Sequence, residues 1–344
     1  MLILAWKGTV SYKMNVTIKD VAKAAGVSVA TVSRVLNKKD NVSDVAIEAV
    51  NTAIDTLGYS PNYLGRDLRK CETRRILAII PSTEHSFYSD VLFGMQETAL
   101  SHGYDVLIGT TNDCTENESR LLGMLFNRSV DAAVLLGPKL DAKTLNKLGK
   151  QYNLALCCER LEGCNTLTVT IDNVKAGYDA VSTLIAKGHR KIAMISTSIR
   201  SQSSIDREVG YKKALEEHGI PFNDEYLFLG TYDLIQGEEA AAHFLALEEP
   251  PTAIFAISDT LAVGAIRKAI ELGYDVGEKL QIIGFDDSFF SHVYSPSIST
   301  VRQPCYEQGK KVIELLIDNI KKDIKGEQIV MLDHSMILRQ STGD

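Results

Sequence analysis

The sequence predicts a small all-α helix-turn-helix head followed by an α/β body of two doubly wound parallel-sheet subdomains. Three observations carry this. Up to about residue 75 the apolar residues fall into short helical segments, whereas beyond it continuous apolar runs alternate with amphipathic helices. The corners from helix back to strand carry Gly or Pro, as in "SHGYDV", "AKGHRK", "EHGIPF", "EEPPTA" and "ELGYDV". The charge divides at the same place: residues 1–75 hold 12 Lys/Arg and 7 Asp/Glu, a net +5, and the rest carries −12 of a total of −7. A basic head on an acidic body implies that only the head meets a polyanion.

The chain of 344 residues is long enough for more than one domain, and its 45% hydrophobic and 24% charged content is ordinary for a globular protein. No apolar run approaches the ~20 residues of a membrane span. The opening "MLILAWKGTVSYK" has no basic region before its apolar patch and no small-residue cleavage site, so no signal peptide is expected. Met14 is the expected start, which makes residues 1–14 a disordered extension. The six cysteines, Cys71, Cys114, Cys157, Cys158, Cys164 and Cys305, form no C-x-x-C pair. They read as buried or free thiols of a reducing cytoplasm.

Within the head, Thr17 is placed to cap a helix running to Ala25, with Asp20 as its partner and Gly26 as the stop. Ser28 caps the next segment, "VATVSRVLN". Its β-branched residues favour a strand by propensity, but either strand face would be mixed. As a helix, Val29, Val32, Val35 and Leu36 share one face, so period decides for helix and tertiary packing must hold it. The other face, with Ala30, Thr31, Ser33, Arg34 and Asn37, lacks the Glu and Lys of a solvated helix. Small side chains permit close approach, hydroxyls bond phosphate oxygens, and arginine bonds guanine bidentately in the major groove. Two such helices joined through Gly26 make a helix-turn-helix. Ser43 and Asp44 open a third helix, with Val45, Ala49, Ala53, Ile54 and Leu57 on one face and Gly58 as its stop. Ser60-Pro61 then opens a short segment, "PNYLGRDLRK".

From Arg75 the strand candidates are "ILAIIP", "YDVLIGT", "DAAVLLG", "LALCCE" and "LTVTID", then a second series "KIAMIS", "YLFLG", "AIFAIS" and "LQIIGFD". Two series make two α/β halves. His189 lies in a helix-to-strand corner with no nucleophile beside it, so it reads as structural. No His, Cys or Asp grouping has catalytic or metal spacing, and there is neither a P-loop nor a Rossmann glycine fingerprint. An enzyme is not expected, nor a cofactor or metal.

"VTIKDVAKAAGVSVATVSRVLN" followed by "LGYSPNYLGRDL" resembles the DNA-binding head and hinge of the lactose/galactose repressor (LacI/GalR) family of bacterial transcription regulators. The resemblance continues through "GHRKIAMI", "DREVGYKKAL", "ISDTLAVGAI" and "IIGFDD", and so covers about residues 15–343. It implies a helix-turn-helix domain at 15–60, a hinge helix and linker at 61–74, and an effector-binding and dimerisation body at 75–344 of periplasmic-binding-protein type. The N-subdomain would hold about 75–172 and 303–325, and the C-subdomain about 173–302 and 326–344, joined by three crossovers.

The resemblance assigns base readout to Val29, Ala30 and Arg34, and backbone contacts to Thr17, Ser28, Thr31, Ser33, Asn37 and, in the hinge, Asn62. The Val29-Ala30 pair can offer only apolar contact, so Arg34 should carry the hydrogen-bonded readout. Leu68 matches the leucine wedged into the minor groove at the operator centre. Gly65 departs from the alanine usual there; glycine costs a helix ~1 kcal/mol, so Gly65→Ala should tighten operator binding. For the effector the resemblance and the strand ends point to Phe87, Tyr88, Arg207, Tyr232, Ser258, Asp259 and Asp286. Ser86 stands for a common proline and Ser258 for a common asparagine, and Gly137 adds space.

The function implied is a cytoplasmic, sequence-specific DNA-binding regulator, in the main a repressor. It would act as a homodimer on palindromic operator DNA under the control of a small effector, a sugar in the first place. A purine, a nucleoside or a phosphocarrier protein is the alternative controller. A transporter's solute-binding protein fits the body but not the head. The final "LRQSTGD" adds no heptad tail for a tetramer.

Overall fold

The computed structural model describes residues 16–36, 42–59, 72–85, 87–199 and 201–344. It forms two compact units, a small one ending at Glu72 and a large one from Thr73.

The small unit contains helices α1 (Ile18–Ala24), α2 (Val29–Leu36) and α3 (Asp44–Leu57). Each begins where a polar side chain closes its first turn. The Thr17 backbone N–H and hydroxyl both donate to Asp20, at 2.8 and 2.7 Å. Ser28 Oγ accepts the Thr31 N–H at 3.1 Å, and Ser43 Oγ accepts that of Ala46 at 3.4 Å. Gly26 and Gly58 turn the chain at φ 66° and 60°, where a side chain would be strained. Val21, Ala22, Val32, Val50 and Ala53 make the core, with Val35 and Leu36 packed against it. Two expectations are corrected. Val29 leaves the packed face of α2 and is 41% exposed, and Val45 on α3 is 79% exposed.

The large unit has two six-stranded sheets. The first runs β11-β5-β4-β3-β1-β2 and is parallel throughout. Its strands are β1 (Arg75–Ile80), β2 (Asp105–Thr110), β3 (Ala132–Leu135), β4 (Asn153–Cys157), β5 (Leu167–Ile171) and β11 (Gln328–Leu332). The second runs β12-β10-β9-β8-β6-β7, parallel except for the β10–β12 pair. It holds β6 (Ile192–Thr197), β7 (Leu227–Gly230), β8 (Ala253–Ala256), β9 (Gln281–Asp286), β10 (Ser299–Arg302) and β12 (Ser335–Ile337). Both sheets change direction of growth at their first strand, beside β1 and β6.

The nine strand candidates all appear, and β10, β11 and β12 are additional. β12 and β10 are short, of three and four residues, and β10 is mostly polar; β11 has the apolar run Ile329–Leu332, but no Gly or Pro corner follows it directly. One boundary is corrected: residues 328–332 pair with β5 and belong to the first lobe, so the last crossover lies at Asp333–His334 rather than at 325/326.

The helices of the large unit are α4 (Phe87–Ser101), α5 (Thr115–Phe126), α6 (Ala142–Gly149), α7 (Asn173–Ala186), α8 (Gln202–Glu217), α9 (Leu234–Leu245), α10 (Asp259–Glu271), α11 (Phe289–Val293) and α12 (Cys305–Lys322). They cover both sheet faces, and separate apolar clusters lie on the two sides of the first sheet. Helices α7 and α8 approach closely through glycine: a Cβ on Gly177 would lie 2.5 Å from the Arg207 carbonyl oxygen. This contact brings Asn173 and Arg207 together. No described helix is long and apolar enough to cross a membrane.

Candidate functional site

In the small unit, α2 turns Val29, Ala30 and Arg34 outward, and all three are exposed. The hydroxyls of Ser28 and Thr31 are 2.9 Å apart, fixed at the start of the helix. Val32 anchors the opposite face and is fully buried. A helix held from behind, with a bare front of small side chains and one guanidinium, suits insertion into a groove. Asn37, Asn62, Gly65 and Leu68 lie outside the described residues.

In the large unit a cavity of about 560 Å³ lies between the two sheets' lobes. It is lined from strand ends, where an open α/β sheet exposes loops and helix N-termini. All seven effector candidates line it: Phe87, Tyr88, Arg207, Tyr232, Ser258, Asp259 and Asp286, together with Gly137.

Arg207 is 6% exposed and rigidly held. Its Nε donates to Asn173 at 2.9 Å and its Nη1 to the Ile257 carbonyl at 2.8 Å. Its guanidinium carbon stands 3.5 Å from the centre of the Phe285 ring. Asp286, at the end of β9, holds φ 109°, a rare backbone state for a residue with a side chain. Its Oδ1 accepts Gln303 Nε2 at 2.8 Å. Burial pushes its carboxyl up to about 6, with the Arg207 charge pulling the other way.

Ser258 and Asp259 line the cavity but are engaged with the protein. Ser258 Oγ caps α10 by accepting the Leu261 N–H at 3.3 Å. Asp259 Oδ1 accepts the Thr300 hydroxyl at 2.7 Å and Oδ2 the Ser288 N–H at 2.6 Å. Burial, then the neighbouring Asp286, pushes the Asp259 carboxyl up to about 7. Tyr232 meets His85 edge-on at 5.8 Å, and His85 meets Tyr88 at 6.3 Å, so the aromatic wall is continuous.

Sequence reasoning missed Glu159, Gln303 and His85. Glu159 follows β4, is 7% exposed, and accepts the Ser203 N–H at 3.2 Å from the other lobe. Burial pushes its carboxyl up. The strand-end rule that found Asp286 also covers Glu159, the residue after "LALCC". Gln303 was hidden because β10 was. His189 is corner structure: its Nδ1 lies 2.8 Å from Thr252 Oγ1. Cys157, Cys158, Cys164 and Cys305 are buried and unbridged. No metal-holding cluster occurs among the described residues.

A helix-turn-helix unit and a two-lobed body with a lined cavity, in one chain, make a DNA-binding regulator with a ligand-binding body. Comparison with known proteins bears this out. Residues 17–62 match the family "Bacterial regulatory proteins, lacI family", and residues 181–342 match the "Periplasmic binding protein-like domain". Catabolite control protein A of Priestia megaterium is 35% identical over 96% of this chain and 100% of its own. The HTH-type transcriptional repressor CytR of Escherichia coli strain K12 is 35% identical over 95% of this chain and 96% of its own. Among solved structures, the Lac repressor dimer bound to operator and the anti-inducer ONPF is 25% identical, with TM-score 0.86 over 95% of this chain and 99% of that one. The chain belongs to the lacI family of bacterial transcription regulators.

Proposed function

We propose that this regulator is a repressor that binds palindromic operator DNA as a homodimer and is controlled by a sugar-like effector in the body's cavity. The observation that carries the effector part is convergence: seven residues scattered from Phe87 to Asp286 line one cavity of about 560 Å³, a size usual for small-molecule sites. Arg207 and Asp286 offer a donor and an acceptor for vicinal hydroxyls, and Tyr88 and Tyr232 offer faces for a sugar ring. A relative 28% identical over 95% of this chain, the transcriptional regulator CelR, was solved with cellobiose, which supports a sugar.

On this reading Arg34 reads a base pair in the major groove, Val29 and Ala30 touch apolar edges, and the Thr17, Ser28, Thr31 and Ser33 hydroxyls and Asn37 meet phosphates. Asn62 and Leu68 act in the hinge. Effector binding alters lobe closure, which pivots on the crossovers near Asp172, Gln303 and Asp333. Effector and operator affinities are then reciprocally coupled. The test is thermal-shift screening of sugars, nucleosides and purines against the full chain, followed by replacement of Arg207. A hit raises the melting temperature by mass action, and Arg207→Met abolishes it. Hits that survive Arg207→Met would contradict the assignment.

A further inference from the structure

We infer that the effector carries a protonated amine, as in an amino sugar whose amine is not acetylated, and that Glu159 holds that ammonium group. This rests on reading the cavity as the effector site. The cavity is lined by seven carboxylates against one lysine and one arginine. Both cations act on Glu159 from a distance, but neither forms an ion pair with it among the described residues. Lys139 Nζ is paired with Asp113 at 2.6 Å, and Arg207 is committed to Asn173, the Ile257 carbonyl and the Phe285 ring.

Glu159 is 7% exposed, its Oε1 accepts the Ser203 N–H at 3.2 Å, and the Gln202 backbone N–H acts on the same carboxyl. It forms no ion pair among the described residues. Its Oε2 lies 3.6 Å from where a Cβ on Gly137 would stand, so the glycine leaves space beside it. A second, independent acceptor lines the same cavity. Gln303 is 4% exposed, donates its Nε2 to Asp286, and has no hydrogen-bond partner for its buried Oε1 among the described residues.

The lining therefore carries an excess of carboxylates over cations and an unmet acceptor in Gln303 Oε1. A hydroxyl supplies a donor but no charge against the carboxylate excess of the lining. An ammonium supplies three donors and the missing charge together. The aromatic neighbours fit the same group: Tyr88, His85 and Tyr232 form a continuous edge-to-face set, and Tyr88 is near enough to Glu159 to feel its charge. Aromatic faces attract an ammonium directly.

The experiment measures calorimetric binding and thermal shift of the full chain with glucosamine, galactosamine and mannosamine, each beside its parent hexose and its N-acetyl derivative. At least one free amine is expected to bind roughly tenfold tighter or more than both of its neutral counterparts. That preference should vanish as pH rises through the titration of the ligand's amine, a readout that needs no variant. Glu159→Gln keeps the shape and an acceptor for Ser203, and should bring the ratio of amine to parent-hexose affinity close to one. A parent or N-acetyl sugar that binds as tightly as the amine overturns the inference and leaves the cavity reading standing, as does an amine preference unchanged in Glu159→Gln. No shift with any sugar or nucleoside, with DNA binding intact, overturns both.

Discussion

Glu159 and Ser203 tie the two lobes across the cavity: the Glu159 carboxylate, at the end of β4, accepts the Ser203 backbone N–H, in the first turn of α8, at 3.2 Å. Removing this bond also removes a buried carboxylate that burial disfavours. The two effects oppose each other, so Glu159→Ala should change global stability by no more than about 1 kcal/mol. The free body should instead sample wider lobe openings, visible as a larger radius of gyration in small-angle scattering. An unchanged radius would show that the contact does not govern closure.

The cavity carboxylates set a pH dependence. Asp259 and Asp286 are raised from 3.8 to about 7 and about 6. Across that window the folded body holds protons that the unfolded chain has released, so stability is greatest below it and falls as pH rises through it. Melting temperature should drop between about pH 4 and 7, and Asp259→Asn should flatten the slope. A slope of the opposite sign, or one unaffected by Asp259→Asn, would remove these groups as its cause.

In the small unit, neighbouring positions of α2 should separate stability from readout. Val32 is fully buried, and Val32→Ala should cost about 2 kcal/mol through two lost methyls and the hole they leave. Arg34 is exposed, and Arg34→Ala should leave the melt unchanged. It should relax sequence preference at one base pair per half-site by ~1–3 kcal/mol. Competition binding against single-base operator variants decides this; a uniform loss over all sequences would make Arg34 a phosphate contact.

Gly177→Ala tests how the fold delivers Arg207. The new Cβ would meet the Arg207 carbonyl oxygen at 2.5 Å and its Cα at 3.0 Å. These are backbone atoms, so α7 and α8 must part, at a cost of about 1–3 kcal/mol. Effector affinity should fall with it although the substituted residue does not line the cavity. Wild-type affinity in a normally folded Gly177→Ala protein would show that the clamp tolerates the shift.

The architecture was legible because period and punctuation agree over most of the chain. The run from Val29 to Leu36 shows why period outranks propensity: its β-branched residues form a helix because Val32 must reach a core. The strands β10 and β12 escaped because "STVR" and "SMI" are short and partly polar, and β11, "QIVML", because it lies after the last α-helix, outside the strand–helix alternation that marked the others. Their place comes from pairing with distant partners, which is what drew residues 328–332 into the first lobe. The site was legible where a charged or aromatic residue follows an apolar run, as with Asp286. Sequence could not show that Ser258 and Asp259 are spent on Leu261, Thr300 and Ser288. It could not show that Glu159 spans the lobes either, since that depends on how the two sheets close.

The most direct test of ligand-controlled repression measures the affinity of the full chain for a DNA site selected from genomic fragments, with and without a saturating small molecule identified by thermal shift. The account predicts a palindromic site, affinity that falls with salt, and a change of at least about tenfold on adding the ligand, matched by an equal effect of DNA on ligand affinity. Operator affinity that is identical with the cavity filled and empty would contradict it.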